Sequence, residues 1–390
     1  MPLEQILGLG DYKIKQMKVH GSCIFEAVYV GDVSCPHCEG KELRTKGRFV
    51  RLVRHVNLGS RESYLELEGR KYKCKGCGKY FNQRFPGILP YRRYSEAYRR
   101  EVCQWHREGI CQRSLAQSQD IGTATVERWY HQHLERKMSE RRSEQCPRML
   151  GIDEHFFSRK DGYATTLCNL EAHKVFDVVL GRSEQALEGY FKALSGKDRV
   201  EVVCMDLSST YRAIIRKHMP QARIVADRFH VIRLVNHHFM ALWRQLDAVG
   251  SKNRGLVSLM RRHAEKLSAE QRPRLKTYLM AHPVLDVVYD FKQKLCRLLL
   301  IKHRTARQCQ RLIPLLLKAV EQLRNSGLEP MRTLGDTLAS WNKEVACMWR
   351  FTKNNAITEG FHTKMEMISR RAFGFQNFEN YRLRVRALCA

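Results

Sequence analysis

Three acidic residues lie far apart in this chain, each in a context suited to holding a side chain for chemistry. Asp153 sits in Met149-Leu150-Gly151-Ile152-Asp153-Glu154-His155, and Asp206 closes the apolar run Val200 to Met205. Glu359 follows the turn Lys353-Asn354-Asn355-Ala356-Ile357-Thr358. The two aspartates are expected on strand ends and the glutamate on a late helix. Carboxylates are hard oxygen ligands, and Mg²⁺ is usually held by one or two of them together with substrate phosphates. Three gathered at one point therefore suit metal-dependent phosphoryl transfer on nucleic acid.

A second set of residues suits a different metal. Cys35-Pro36-His37-Cys38 and Cys74-Lys75-Gly76-Cys77-Gly78 are two Cys-x-x-Cys knuckles, which can offer Zn²⁺ four thiolates in tetrahedral geometry. The gap between them exceeds the usual ribbon spacing of about 15 to 20 residues. An extra hairpin is expected inside it, Arg51 to Val56 and Tyr64 to Leu67 with Gly59-Ser60 between them. A redox dithiol or unrelated cysteines are the competing readings. Of the 14 cysteines only these four are paired in sequence, and the others, such as Cys103, Cys168, Cys204 and Cys347, are expected as small buried hydrophobes. Lys75 and Lys79, among Arg70, Lys71, Lys73 and Arg84, suggest that the ribbon touches DNA, against the alternative of an ordinary solvated face.

The elements that must position these groups follow from periodicity. After Pro90, Ser95 can cap a helix running to about Arg107, Gln112 to Gln119 reads as a second, and Thr123 to about Arg142 as a third. A short helix, a Gly-containing turn and a longer basic helix form a helix-turn-helix signature. Thr123, Thr125, Glu127 and Arg128 would stand near the reading end, with Ala116, Val126, Trp129 and Leu134 as core. Three-helix packing without DNA contact is the alternative. Met149 to Phe156, Tyr163 to Leu170 and Val175 to Leu180 read as a three-stranded meander. Helix Ser183 to Leu194, strand Val200 to Met205, helix Tyr211 to His218 and strand Arg223 to Ala226 follow. This βββαβαβ order is that of a ribonuclease H-like domain, in which the first and fourth strands are neighbours, so Asp153 and Asp206 should meet.

Phe229 to about Asp247 begins a long helix, and Arg254 to Arg350 keeps helical composition with breaks expected at Pro273, Pro283, Pro314 and Pro330. We read an all-helical insertion here. The chain then returns through Asn354-Asn355 to a helix with the apolar stripe Ile357, Phe361, Met365, Ile368 and Ala372, and Glu359 lies off that stripe. The expected domains are 1–88 (zinc ribbon with inserted hairpin), 89–146 (helix-turn-helix), 147–247 (first part of the core), 248–350 (helical insertion) and 351–390 (the rest of the core).

Charge identifies the class of partner. With 69 Lys and Arg against 40 Asp and Glu, the formal net charge is +29, which fits salt-sensitive binding to a polyanion better than a merely solubilising surface. No apolar run reaches the ~18 residues of a membrane span, and the first residues lack a signal-peptide pattern. A cytosolic, nucleoid-associated protein without membrane contact is expected.

Taken together, these parts resemble the DDE transposases of bacterial insertion sequences, specifically the ISL3 type. The resemblance rests on Gly151-Ile152-Asp153-Glu154, Met205-Asp206-Leu207-Ser208, Ala226-Asp227-Arg228-Phe229-His230-Val231 and the segment from Asn354 through Glu359-Gly360 to Arg384. It implies Asp153, Asp206 and Glu359 as a catalytic triad holding Mg²⁺ or Mn²⁺; Glu366, two turns on along a similar face, is the competing reading for Glu359. It implies cleavage at transposon 3′ ends and strand transfer into target DNA by a two-metal mechanism. The partners would be double-stranded DNA, both terminal inverted repeats and target, and a second copy of the chain in a homodimer or higher oligomer. Similar proteins carry an acid and a histidine where Asp227 and His230 stand, one turn apart, so His230 could face the scissile phosphate or hold Asp227. A buried structural pair is the other reading. Arg228 and Arg233 could hold phosphates, as could Arg370 and Arg371 if they are not simply solvated. Trp341 and Trp349 are candidates for stacking on an unpaired base, with core packing preferred. A DNA-binding regulator with an inactive core and a stand-alone metal-dependent nuclease remain the competing functions.

Overall fold

The alternation of apolar and polar residues around Arg51 and Tyr64 continues well beyond the expected hairpin. In the computed structural model, which describes residues 3–139, 144–351 and 356–389, the chain forms two compact units, Met1–Lys137 and Met138–Ala390. In the first, a short helix α1 (Leu3–Ile6) precedes β1 (Tyr12–His20), β2 (Ser22–Tyr29), β3 (Leu43–Leu58), β4 (Arg61–Cys74) and β5 (Tyr80–Asn82). β3 and β4 pair antiparallel from Leu43 opposite Cys74 to Leu58 opposite Arg61, so the inserted hairpin is itself what brings the two knuckles together. The sheet runs β1-β2-β4-β3, with β5 on β4. Phe25, Val53, Leu65 and Leu67 form its dry face. Gly69 is required on β4, because a Cβ there would lie 2.5 Å from the Phe49 ring.

Three helices complete this unit: α2 (Glu96–Glu108), α3 (Gln112–Ser118) and α4 (Thr123–Ser139). Ser95 caps α2 by accepting from the Tyr98 amide, and Gly109, at φ 118°, ends it. Val126, Trp129, Tyr130 and Leu134 are the buried residues of α4, with Trp129 edge-on to Tyr94 and Tyr98.

The second unit is built on β6 (Met149–Ser158), β7 (Gly162–Asn169), β8 (Lys174–Leu180), α5 (Glu184–Ala193), β9 (Val202–Met205), α6 (Ser209–His218), β10 (Arg223–Ala226) and α7 (Arg228–Leu246). The sheet order is β10-β9-β6-β7-β8, with β6, β9 and β10 parallel and β7 and β8 antiparallel. Alternation along the strands divides the side chains between two faces. Leu150, Ile152 and Leu167 join Leu187, Phe191, Ile214 and Ile215 on one. Ala164, Cys168, Val178 and Cys204 meet Met365, Tyr381 and Val385 on the other.

The helical stretch comprises α8 (Arg254–Arg261), α9 (Gln271–Met280), α10 (Pro283–Leu300), α11 (Ala306–Arg324), α12 (Glu329–Ser340) and α13 (Asn342–Cys347). Pro273, Pro283 and Pro330 sit in first turns, where a missing N–H costs little. The break expected at Pro314 does not occur: α11 runs through it. Pro314 and Gln310 are both exposed, so the carbonyl that loses its partner can face water while Leu316, Val320 and Leu323 hold the helix to the core. Trp341 and Trp349 are 4% and 0% exposed, and the Trp349 indole donates to the Leu298 carbonyl at 2.9 Å. Packing, not base stacking, is their role.

α14 (Ala356–Arg371) and α15 (Phe378–Leu388) close the second face of the sheet. They are anchored by Asp177 of β8, whose carboxylate accepts from Arg382 Nε and Nη2 at 2.8 and 2.7 Å and from the Tyr190 hydroxyl at 3.1 Å. Asp177 is 5% exposed, and the Val178 amide at 2.8 Å and Arg386 at 3.6 Å add to these donors. Arg382→Leu leaves it without its forked partner and is expected to cost about 3 kcal/mol, read as a lowered urea midpoint. Adding Asp177→Asn should restore part of that loss.

Candidate active site

Register brings the acids together. The parallel pairing of β6 with β9 ends at Ile152 opposite Met205, and that of β9 with β10 at Met205 opposite Ala226. Asp153, Asp206 and Asp227 are each the next residue, so three acids form a row at the same level of three adjacent parallel strands. The Asp227 amide donates to the Met205 carbonyl at 2.6 Å, which extends the ladder to that level. Asp227 also caps α7, accepting from the Phe229 amide, and His230 Nε2 lies 4.0 Å from Asp227 Oδ2 one turn on.

The row is charged and poorly solvated. Burial pushes the Asp153 carboxyl up to about 6; His230 and the Glu154 amide oppose this, while Asp206 and Asp227 add to it. Burial also raises Asp206, with His230 again opposing and Glu154 and Asp227 reinforcing. Asp206 Oδ1 is buried and has no hydrogen-bond partner among the described residues. Clustered carboxylates with an orphaned oxygen are what a divalent cation would neutralise, so the donor set fits a hard metal ion. Among the described residues no three of these acids and histidines converge to within 4.8 Å.

Glu359 and Glu366 are both exposed on α14. Glu366 is engaged by Arg370 at 2.6 Å. One turn after Glu359, His362 turns inward, with Nδ1 4.0 Å from Asp153 Oδ2. Sequence reading missed His362 and also His155, two residues beyond Asp153 on the same face of β6. Burial lowers His362 to about 4 and His155 to about 3, so both are neutral near pH 7. The available signal was spacing: Glu359-x-x-His362 repeats the one-turn interval of Asp227-x-x-His230. Asn354 and Asn355 of the same motif lie outside the described residues.

The basic candidates divide. Arg228 is 6% exposed and donates to the carbonyls of Leu299, Ile301 and Met348. It ties α7 to the helical stretch and cannot hold a phosphate, which corrects the expectation from sequence. Arg233 and Arg371 are exposed, while Arg370 pairs with Glu366. In the other unit Thr123 and Arg128 are exposed and Thr125 half-buried at the start of α4, with Arg128 donating to the Thr125 hydroxyl at 3.3 Å. Lys79 is exposed beside the second knuckle, and Lys75 lies 3.8 Å from Glu42.

The knuckles meet as the spacing requires. The sulfurs of Cys35, Cys38, Cys74 and Cys77 all lie within 4.8 Å of one another. Each knuckle closes on itself, through Glu39 N–H to the Cys35 carbonyl and Gly78 N–H to the Cys74 carbonyl, with Glu39 and Gly78 at positive φ. The Cys77 amide, aimed at Cys74, helps lower that thiol to about 7. This is a four-thiolate zinc site.

The chain is similar to known proteins along most of its length. A family described as a transposase, the ISL3 type of DDE transposase, matches residues 150–385. The zinc-finger of transposase IS204/IS1001/IS1096/IS1165 matches residues 32–77. The transposase for insertion sequence element IS1001 from Bordetella parapertussis is 25% identical over 364 residues, covering 90% of this chain and 88% of that protein. No helix among the described residues is long and apolar enough to cross a membrane.

Two outcomes follow from the charges. In metal-free protein, Asp153→Asn should stabilise the fold by on the order of 2 kcal/mol at pH 8. The raised carboxyl is costly only when ionised, so the gain should shrink as pH falls through about 6 and vanish below the ordinary value of 3.8. Thermal unfolding across pH measures this. Purified protein should contain about one Zn²⁺ per chain by elemental analysis, and Cys35→Ser should remove it.

Proposed function

Because the chain belongs to the ISL3 type of DDE transposase, we propose that it binds the terminal inverted repeats of an insertion sequence, frees their 3′ ends and joins them to target DNA. The observation that carries this reading is the row Asp153, Asp206 and Asp227 at the ends of three parallel strands, with α14 and its Glu359 on the same side of the sheet.

In this reading Asp153 and Asp206 would hold Mg²⁺ or Mn²⁺, and Glu359, exposed and free of an ion pair among the described residues, would complete the ligand set. The bound metal would promote deprotonation of the attacking water or 3′-hydroxyl and stabilise the leaving 3′-oxygen. His230 faces the acid row one turn into α7, 4.0 Å from Asp227. Asp227 fixes the start of α7 and so the direction of His230. No protein nucleophile is needed.

The sheet order supports a ribonuclease H-like core over 147–247 and 351–390, interrupted by the helical insertion 248–350. The exposed residues Thr123 and Arg128 at the start of α4 support a helix-turn-helix in 89–146 that reads DNA. Lys75 and Lys79 would add phosphate contacts from the zinc ribbon in 1–88, and Arg233, Arg370 and Arg371 would add them from the core. The net charge of +29 supports double-stranded DNA as the partner. Joining two ends calls for a homodimer or larger assembly, acting at the nucleoid in the cytoplasm.

The test is cleavage and joining of linear DNA carrying the element's own ends. Mg²⁺ or Mn²⁺ should yield 3′ nicks and joined products. Asp153→Asn, Asp206→Asn and Glu359→Gln should each reduce both by about 10³-fold or more, some 4 kcal/mol of barrier, while DNA binding persists. Glu366→Gln should change the rate little. Cutting without joining would identify a nuclease, and binding without cutting a regulator.

A further inference from the structure

The inward face of α14 and the end of β6 share a chain of hydrogen bonds whose last member, His362, faces Asp153. The Tyr381 hydroxyl meets His155 Nε2 at 2.9 Å, His155 Nδ1 meets the Thr166 hydroxyl at 2.9 Å, and that hydroxyl meets His362 Nε2 at 3.2 Å. His362 Nδ1 then faces Asp153 Oδ2 at 4.0 Å. The members come from four elements. Asp153 and His155 share a face of β6, Thr166 lies directly opposite Asp153 on β7, and α14 and α15 provide His362 and Tyr381.

The chain has a direction. Each hydroxyl has one proton to donate, and a neutral imidazole has one donor and one acceptor nitrogen. If Tyr381 donates to His155 Nε2, His155 must donate from Nδ1 to Thr166, and Thr166 is then free to donate to His362 Nε2. That leaves the His362 proton on Nδ1, directed at the carboxylate. In the opposite direction the Nδ1 lone pair would face an anionic oxygen, which is repulsive. Asp153 Oδ1 is already held by the Glu154 amide at 2.9 Å. The Nδ1–H of His362 is therefore the group placed to orient the other oxygen.

Resting on the assignment of Asp153 as a metal-holding carboxylate, we propose that His362 is a positioning residue, fixed as its Nδ1–H tautomer by Thr166, His155 and Tyr381, that sets the orientation of Asp153. Outer partners of this kind are worth about 10- to 100-fold in metal affinity. The chain also accounts for a hydroxyl on Tyr381, where packing against Phe157, Phe375 and Phe378 alone would be served by phenylalanine.

The experiment titrates Mn²⁺ into the full-length, zinc-loaded protein and follows free Mn²⁺ by electron paramagnetic resonance. Tyr381→Phe and Thr166→Val keep shape and remove one link each. Each should weaken Mn²⁺ binding about 10-fold, and the double variant should be no weaker than Thr166→Val alone, since Tyr381 acts only through Thr166. His362→Asn, which keeps an N–H near the Nδ1 position, should retain more affinity than His362→Leu and be insensitive to Tyr381→Phe. Asp153→Asn is the control and should abolish the binding. If it does while Tyr381→Phe and Thr166→Val leave the affinity within twofold at unchanged thermal stability, or if their effects simply add, the relay is overturned. If Asp153→Asn still binds Mn²⁺ normally, the site assignment itself falls, and the relay with it.

Discussion

The parallel pairing of β6 with β9 is the constraint on which the second unit depends. Parallel strands cannot be joined by a tight turn, so the chain between them must cross over. Here it first adds β7 and β8 on the far side of β6 and then returns through α5. The result places β6 near the centre of the sheet, where Ile152 and its neighbours are covered on one face by α5 and α6. The same register sets Asp153 level with Asp206, and a second parallel pair sets Asp227 beside them. A slip of one residue would send these carboxylates to the opposite, apolar face. The deep packing of the strands and the position of the charges therefore have a single origin.

The other face of the sheet depends on a contact at its edge. Asp177 is a buried charged residue among the apolar residues Val175, Phe176, Val178 and Val179, and the fork of Arg382 makes it tolerable. This pins α15 to β8, and α15 in turn carries Tyr381 to His155. The Val175 amide also donates to the Cys389 carbonyl at 2.8 Å, so the end of the chain is fastened to the same strand. Sequence-distant helices thus reach the acid row by polar contacts whose geometry is directional, where apolar packing alone would allow them to slide.

Much of this was legible in the sequence where period and punctuation coincide. The helix begun at Ser95, the hairpin around Gly59-Ser60, the three-stranded meander and the short strands before Asp206 and Asp227 all carry both signals, and each appears where expected. The N-terminal hairpin of β1 and β2 was not anticipated, because the alternation of Tyr12 and Ile14 with Met17 and Val19 changes phase at a bulge between Ile14 and Gln16, and most of the strand is polar and exposed. Pro314 misled because the penalty of proline depends on where its orphaned carbonyl points. Arg228 misled in the same way: in sequence it is another cation in a basic chain, and only tertiary structure supplies the three carbonyls that bury it. His155 was invisible for a related reason, and His362 was marked only by its spacing from Glu359. A histidine acquires its meaning from neighbours, and theirs are brought by β7 and α15.

Arg228 has a mechanical consequence. It directly follows Asp227, and its guanidinium reaches carbonyls at the end of α10 and just past α13. The connection is short and stiff: one peptide bond on one side and charge-assisted hydrogen bonds on the other. A swing of the helical segment against the sheet must therefore either break those bonds or drag Asp227 and the first turn of α7 with it. The loop between strand and helix acts as a rigid coupling, and a load applied to the helices tens of residues away in sequence is delivered at the row of acids.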